Sequence, residues 1–267
     1  MDALTLIIIS GVLLGTIVGL LAGLLGIGGG LIIVPVLTYL LSTLLDIPAT
    51  QTIVIAVATS LSTIIFTGMS SARAHYKLGN LNTDILLWCG VGIAIGAVAG
   101  AQIATAISGQ LLKQIFAVLV MTIAAYMMFG SRRESKSHAT HPRLATVGTS
   151  AGLLSALMGI GGGAILVPAL VWYRVNIRQA IGCAAFSGII IAIFGSASFI
   201  LSGWEYNSLA NGFVGYVYWP ATVSIAVTSV LFAPIGARLG QRMNTQGLKK
   251  VFAVFLVLVS IRMLWGF

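Results

Sequence analysis

Two stretches of the chain share one unusual pattern, an apolar run that is interrupted by glycines and followed by a proline. They are Gly19 to Pro35 (GLLAGLLGIGGGLIIVP) and Gly152 to Pro168 (GLLSALMGIGGGAILVP), and 12 of the 17 aligned positions are identical. Glycine and proline interrupt helices, and backbone freed inside a bilayer must be satisfied by protein or by a water-filled cavity. The paired interruption therefore indicates an internal duplication and a transport site.

The composition places the chain among integral membrane proteins. Hydrophobic residues make up 58% of it, charged residues only 7%, and the mean hydropathy is +1.07. Soluble domains carry roughly 25% charged residues. The excess of Lys and Arg does not indicate nucleic-acid binding, because these residues fall in short loops between apolar stretches, where they usually set membrane topology. We expect an all-α, polytopic protein whose surroundings are the lipid bilayer.

Apolar segments bounded by charges, glycine or proline number five in each half. They cover residues 4–25, 31–45, 49–71, 83–107 and 111–129, then 144–158, 164–175, 179–201, 214–237 and 247–266. The polar stretch 131–143 separates the halves. We therefore predict a first repeat over 1–130, a linker over 131–143 and a second repeat over 144–267.

The duplication extends beyond the glycine runs. Ser60, Gly68 and Ser71 match Ser187, Gly195 and Ser198 at a constant spacing. A later pattern, Gly-Ala followed by Leu-Lys-x-x-Phe-Ala, also occurs in both halves, at 100–101 with 112–117 and at 236–237 with 248–253. The two halves should therefore share one architecture.

The distribution of basic residues predicts how the repeats are oriented. With five crossings in each half, 12 of the 14 Lys and Arg residues lie on one side, and only Lys113 and Arg262 lie on the other. This matches the excess of basic residues in cytoplasmic loops. We predict inverted repeats with a cytoplasmic linker and both termini outside the cytoplasm. The segments after the glycine runs are short, so each is expected to be a re-entrant or partial helix.

The glycines are the candidate substrate-binding residues. They are Gly26, Gly28, Gly29 and Gly30 in the first half and Gly159, Gly161, Gly162 and Gly163 in the second. Helices that restart near Leu31 and Ala164 would each direct a positive N-terminus at one region, and two such ends can bind an anion. The prolines that follow, Pro35 and Pro168, are assigned to the helix breaks and fit without kinking if they lie in a first turn.

Other interpretations of the glycines are close helix packing and a phosphate-binding loop. Small residues often allow membrane helices to approach one another. Neither run leads into the Lys-Ser/Thr of a nucleotide P-loop, and neither has the spacing of a dinucleotide-binding motif.

Few polar side chains are expected within the membrane. The matched hydroxyls of Ser60 and Ser187 could hold an anion, or they could bond to helix carbonyls. All five acidic residues lie at termini, loops or segment edges, and His75, His138 and His141 are assigned to loops. We therefore expect no catalytic residues, no metal site, no cofactor and no proton relay through a carboxylate.

The duplicated block G-x-G-G-G-x-x-x-V-P, at Gly26 to Pro35 and Gly159 to Pro168, resembles the sulfite exporter TauE/SafE family of membrane permeases. The later Gly-Ala and Leu-Lys patterns are similar too. The resemblance implies a permease, not an enzyme, that moves sulfite or an organosulfur anion such as a sulfonate across the bacterial inner membrane. Family members are often described with eight spans, whereas the segments here number ten. A membrane scaffold, a channel subunit and an intramembrane enzyme are the alternatives.

Overall fold

The computed structural model describes residues 3–26, 28–45, 47–129, 141–206 and 211–242, with further positions between 253 and 263. Its helices in the continuous ranges are α1 (Ala3–Leu25), α2 (Gly30–Leu44), α3 (Ala49–Lys77), α4 (Thr83–Ala106), α5 (Gly109–Phe129), α6 (His141–Met158), α7 (Gly163–Trp172), α8 (Ile177–Ser202) and α9 (Trp219–Arg242). A 3₁₀ turn (Trp204–Tyr206) and a small antiparallel hairpin, β1 (Phe213–Val214) with β2 (Val217–Tyr218), connect α8 to α9.

Helix lengths confirm the prediction of an all-α, polytopic membrane protein. Six helices in the described part of the chain are long and apolar enough to cross a membrane: α1, α3, α4, α5, α8 and α9. The helices that follow the glycine runs are shorter, with 15 residues in α2 and 10 in α7. At 1.5 Å per residue, α7 covers about half of the ~30 Å hydrocarbon core. The short segments predicted after each glycine run are therefore partial helices.

Some predicted boundaries differ from the structure. Helix α3 continues to Lys77 instead of ending near residue 71, so His75 lies in a helix. The segment predicted over 214–237 begins with the hairpin and continues to Arg242. His141 to Arg143 belong to α6 and not to the linker. The rest of the linker, and most of the segment predicted over 247–266, lies outside the described residues.

The first helix of each half packs on the fourth helix of the other half. Helix α1 lies against α9, and α6 lies against α4. Glycines make both contacts close: a Cβ placed on Gly19 would lie 2.6 Å from the Ser229 carbonyl oxygen, and one on Gly152 would lie 2.9 Å from the Ile93 Cα atom. Since backbones approach this closely only without side chains between them, these helix glycines serve packing, as small residues often do in membranes.

Contacts along these pairs fix the relative helix directions. Gly11 of α1 meets Ser224 of α9, and Gly23 meets Ala233. Residue numbers therefore increase in the same direction along both helices, which run parallel. In α4 and α6, Gly92 meets Ala145, while Gly100 meets Leu153. This second pair is also parallel.

The third helices of the two halves, α3 and α8, cross at the centre of the bundle. Gly68 meets Ile189, whereas Leu61, earlier in α3, meets Gly195, later in α8. Residue numbers therefore increase along α3 while they decrease along α8, and the helices run antiparallel.

Hydrogen bonds extend the pattern. The Ser62 and Thr222 hydroxyls lie 2.8 Å apart, and the Ser70 hydroxyl donates to the Val230 carbonyl, which makes α3 parallel to α9. Two further bonds make α4 parallel to α8: Cys183 to the Asn82 carbonyl and Gln102 to Ser198. Helices α1, α3 and α9 therefore run in one direction, and α4, α6 and α8 run in the other.

Candidate functional site

Left-handed backbone angles form both helix interruptions. The φ angle is 67° at Gly26, 74° at Gly28 and 79° at Gly29 in the first half. In the second half it is 66° at Gly159 and 78° at Gly162. A side chain at such an angle meets the following carbonyl oxygen, so glycine is the residue that adopts it without strain. The chain ends one helix and begins the next over four residues in each half.

The two interruptions contact each other. A Cβ placed on Gly28 would lie 2.7 Å from the Gly161 Cα atom, and one on Gly161 would lie 3.0 Å from the Gly28 Cα atom. Gly30 lies against Gly159, with a Cβ position 2.8 Å from the Gly159 carbonyl carbon. The nearest side chain to both Gly28 and Gly161 is that of Ile64, in the middle of α3. The two distant glycine runs therefore meet within the bundle, at the depth of the centre of α3.

Gly29 and Gly162 are the N-cap residues of α2 and α7, and Gly30 and Gly163 are the first residues of these helices. Neither N-terminus has a side chain that caps it by a hydrogen bond. The first amide groups of a helix have no partner within the helix, and together they carry about half a positive charge. The site therefore contains two helix N-termini whose amide groups are not neutralised by capping side chains.

The prolines do not interrupt these helices. Pro35 is the sixth residue of α2, and Pro168 is the sixth residue of α7, and both helices continue beyond them. Neither proline therefore lies in a first turn, where it would fit without kinking the helix, and the assignment of Pro35 and Pro168 to the helix breaks stays a prediction. The Ile33 and Leu166 amides already donate to the carbonyls of the N-cap glycines, and each proline lies two positions further along its helix. It therefore leaves one carbonyl of the first turn without its usual donor.

A small cavity of about 10 Å³ lies beside the contact between the interruptions. It is lined by Ala22, Gly26, Gly28, Ile64, Gly68, Ser71, Gly161, Ala185 and Gly188. The Ser71 hydroxyl is the polar side chain in this lining. A cavity of this size holds about one water molecule. An oxyanion of sulfur is larger, so it does not fit beside the glycines in this conformation.

The two matched serines, Ser60 and Ser187, are both buried. The Ser60 hydroxyl donates to the Gly159 carbonyl at 2.7 Å, which joins α3 of the first half to the interruption of the second half. Ser187 lies in α8 and is 1% exposed. Since a hydroxyl oxygen keeps lone pairs when it donates, Ser60 can still accept a bond, but its proton is already used.

His75 is buried in the last turn of α3, not in a loop as expected. Its Nε2 atom lies 3.0 Å from the Gly23 carbonyl, and its Nδ1 atom lies 3.4 Å from the Asn80 amide nitrogen. The Asn80 amide donates to Nδ1, so Nε2 carries the proton and donates to Gly23. This bond fixes the end of α1, three residues before the first interruption, to α3. Sequence reasoning missed it because Arg73 was taken as the start of a loop.

The fold and the paired interruptions define a polytopic membrane protein with the broken helices typical of transporters. The family model for sulfite exporter TauE/SafE matches residues 11–263. The chain therefore belongs to the TauE/SafE family, which confirms the resemblance seen in the glycine blocks.

Relatives of similar length match the chain almost from end to end. A probable membrane transporter protein of Haemophilus influenzae is 37% identical over 253 residues, which cover 94% of this chain and 96% of the relative. Probable membrane transporter proteins of Methanocaldococcus jannaschii and Bacillus subtilis are 27% and 26% identical, and each match covers 95% of this chain and at least 94% of the relative. No solved structure matches the chain. Family and relatives together indicate a membrane transporter.

Proposed function

We propose that this protein moves a small anion, sulfite or an organosulfur anion such as a sulfonate, across the bacterial inner membrane by alternating access. The observation that carries the proposal is the contact between the two glycine interruptions, each of which precedes an uncapped helix N-terminus. In transporters, interrupted helices at a repeat interface commonly form the substrate site. Gly26, Gly28, Gly29 and Gly30, with Gly159, Gly161, Gly162 and Gly163, are the proposed binding residues.

The chemistry of these groups favours an anion. A helix N-terminus stabilises a nearby negative charge by about 0.3–1 kcal/mol at exposed sites, and by up to ~2 kcal/mol where the charge is partly buried. Hydroxyls such as those of Ser60 and Ser187 add neutral hydrogen-bonding groups, which need no buried counter-charge. Such a site would select a small oxyanion by its hydrogen-bonding oxygens.

The helix directions support inverted repeats. Helices α1 and α3 run parallel to α9. Their counterparts in the second half, α6 and α8, run parallel to α4, and this second set points opposite to the first. Corresponding helices of the two halves therefore point oppositely, which is the relation predicted from the basic residues. Inverted repeats can exchange conformations, so that a site at their interface opens first to one side and then to the other.

The same directions support one cytoplasmic face. Arg73 and Lys77 lie near the C-terminal end of α3, and Arg238 lies near the C-terminal end of the parallel helix α9. Arg143 and Arg178 lie near the N-terminal ends of α6 and α8, which run the opposite way. All five basic residues thus belong to one face. Because the cytoplasmic loops of membrane proteins carry an excess of Lys and Arg, we propose that this face and the 131–143 linker are cytoplasmic.

The direct test is flux into proteoliposomes that contain only the purified protein. Saturable uptake of labelled sulfite, reduced by competing sulfonates, is the expected result. Gly161→Leu should abolish uptake while the variant still inserts and purifies, because its side chain would displace the Gly28 backbone. A scaffold would give no flux in the parent, and a channel would give flux that does not saturate. Normal uptake by Gly161→Leu would refute the glycine site.

A further inference from the structure

The small cavity beside the interruptions lies near Gly68 and Gly188, and because the repeats are related in sequence, the matching place in the other half can be compared with it. Residues that line it have counterparts in the other half: Gly68 corresponds to Gly195, Ser71 to Ser198 and Ala22 to Ser155. One pair differs sharply in size, since Gly188 in α8 corresponds to Leu61 in α3. The described residues therefore leave a small cavity on one side and place a leucine at the matching position on the other.

Leu61 fills the counterpart of the cavity. Its side chain is completely buried, and its Cδ1 atom lies 2.8 Å from the position of a Cβ on Gly195. On the cavity side the corresponding residues are Gly68 and Gly188, and neither has a side chain to occupy the space. Ser198, the counterpart of Ser71, accepts a hydrogen bond from the Gln102 amide at 2.9 Å. The second side is thus closed by one apolar side chain and one polar contact.

Ser155, near the C-terminal end of α6, has a hydroxyl that makes no hydrogen bond to the described residues. It is completely buried, and its Oγ atom has no hydrogen-bond partner among the described residues. That atom lies 3.8 Å from the position of a Cβ on Gly162, the N-cap of α7. Burying a hydroxyl without a partner is unfavourable, so such a group calls for an explanation, and a ligand is one. Its counterpart in the first half, Ala22, lines the cavity but has no hydroxyl.

We propose that Leu61 is the gate on the non-cytoplasmic side of the transport route, and that the Ser155 hydroxyl binds the oxyanion when this gate opens. The proposal rests on the transport function proposed above. When Leu61 moves away, the space beside Gly195 becomes a pocket like the one beside Gly68. The Ser155 hydroxyl and the amides at the N-terminus of α7 then donate to the same anion, which satisfies a group that has no partner in the closed form.

Accessibility of residue 155 tests the gate without measuring flux. Ser155→Cys is placed in a background of Cys89→Ser and Cys183→Ser, and right-side-out vesicles are treated with a membrane-impermeant thiol reagent. The parent should label slowly. Adding Leu61→Gly should raise the labelling rate at least tenfold. Leu41→Gly, which removes an equally buried leucine from α2, is the matched control and should leave the rate unchanged. Equal rates with and without Leu61→Gly would overturn the gate.

Transport kinetics test the binding role of Ser155. Ser155→Ala should raise the sulfite concentration at half-maximal flux by about fivefold to tenfold, and Ser155→Thr, which keeps a hydroxyl, should restore most of the affinity. An unchanged half-maximal concentration in Ser155→Ala would refute binding by this hydroxyl. Absence of sulfite flux in the parent would refute the proposed transport function instead, and the labelling result would still decide whether Leu61 is a gate.

Discussion

Replacing glycines at the contact between the two interruptions should lower the free energy of unfolding. The loss has two causes, backbone strain and steric clash, and single substitutions can separate them. Gly28 has a left-handed backbone and lies against Gly161, so Gly28→Ala introduces both backbone strain and a steric clash. Gly161 does not have a left-handed φ, but a Cβ there would lie 3.0 Å from the Gly28 Cα atom, so Gly161→Ala introduces only the clash. Gly79 has φ 70° and no atom within 4 Å of its Cβ position, so Gly79→Ala introduces only strain.

The expected magnitudes follow from these geometries. A left-handed non-glycine residue costs about 1–2 kcal/mol. An extra methyl group in a packed interior costs about 1–3 kcal/mol. Gly79→Ala should therefore lower the free energy of unfolding by about 1–2 kcal/mol, and Gly161→Ala by about 1–3 kcal/mol. Gly28→Ala combines both costs and should lower it by about 2–5 kcal/mol. For a protein of this size, 1 kcal/mol corresponds to a shift of about 2–4 °C in the melting temperature.

Thermal unfolding of the three detergent-purified variants, monitored by tryptophan fluorescence, measures this series, and sulfite flux is measured in parallel. Gly79→Ala should keep normal flux because Gly79 lies in a loop away from the interruptions. Gly28→Ala should melt at the lowest temperature and lose flux. The reasoning is refuted if Gly28→Ala is no less stable than Gly79→Ala, or if Gly161→Ala has the melting temperature and flux of the parent.

Two further predictions concern the link between the halves and the orientation. Ser60→Ala removes the bond to the Gly159 carbonyl, so it should lower the stability by about 1–3 kcal/mol and reduce flux. Ser42→Ala, on a hydroxyl that bonds only within α2, is its control and should change little; equal melting temperatures for the two variants would contradict the prediction. A cysteine introduced in the 131–143 linker should resist an impermeant thiol reagent in intact cells and react after permeabilisation, whereas ready labelling of intact cells would reverse the proposed orientation.

The glycine blocks show how far the sequence predicted the site. Their duplication indicated two interrupted helices, and the short apolar segments that follow indicated partial helices, as α2 and α7 are. The interruptions were predictable because glycine and proline affect the backbone locally. Whether Pro35 and Pro168 lie in a first turn could not be predicted, because the start of a helix depends on the backbone angles of the preceding glycines, and the composition alone does not give these angles.

Other features could not be predicted because they depend on contacts between distant residues. His75 was assigned to a loop, since a basic residue two positions earlier resembled the end of a span; its bond to Gly23 stabilises two more turns of α3. The lack of a partner for Ser155 depends on every neighbouring atom of the fold. The difference between Leu61 and Gly188 is present in the sequence. Only the packing shows that Gly188 lines a cavity and that the Leu61 side chain occupies the matching place in the other half.

By itself, the sequence determined the membrane class, the helical architecture, the duplication and the places where the helices are interrupted. These properties follow from hydrophobicity and from backbone preferences, which act over a few residues. The tertiary structure alone decided that Gly28 meets Gly161, that α1 pairs with α9 and α6 with α4, and that Leu61 packs against Gly195. These outcomes require the complementary surfaces of helices that are far apart in the chain, and such surfaces exist only once the helices have packed.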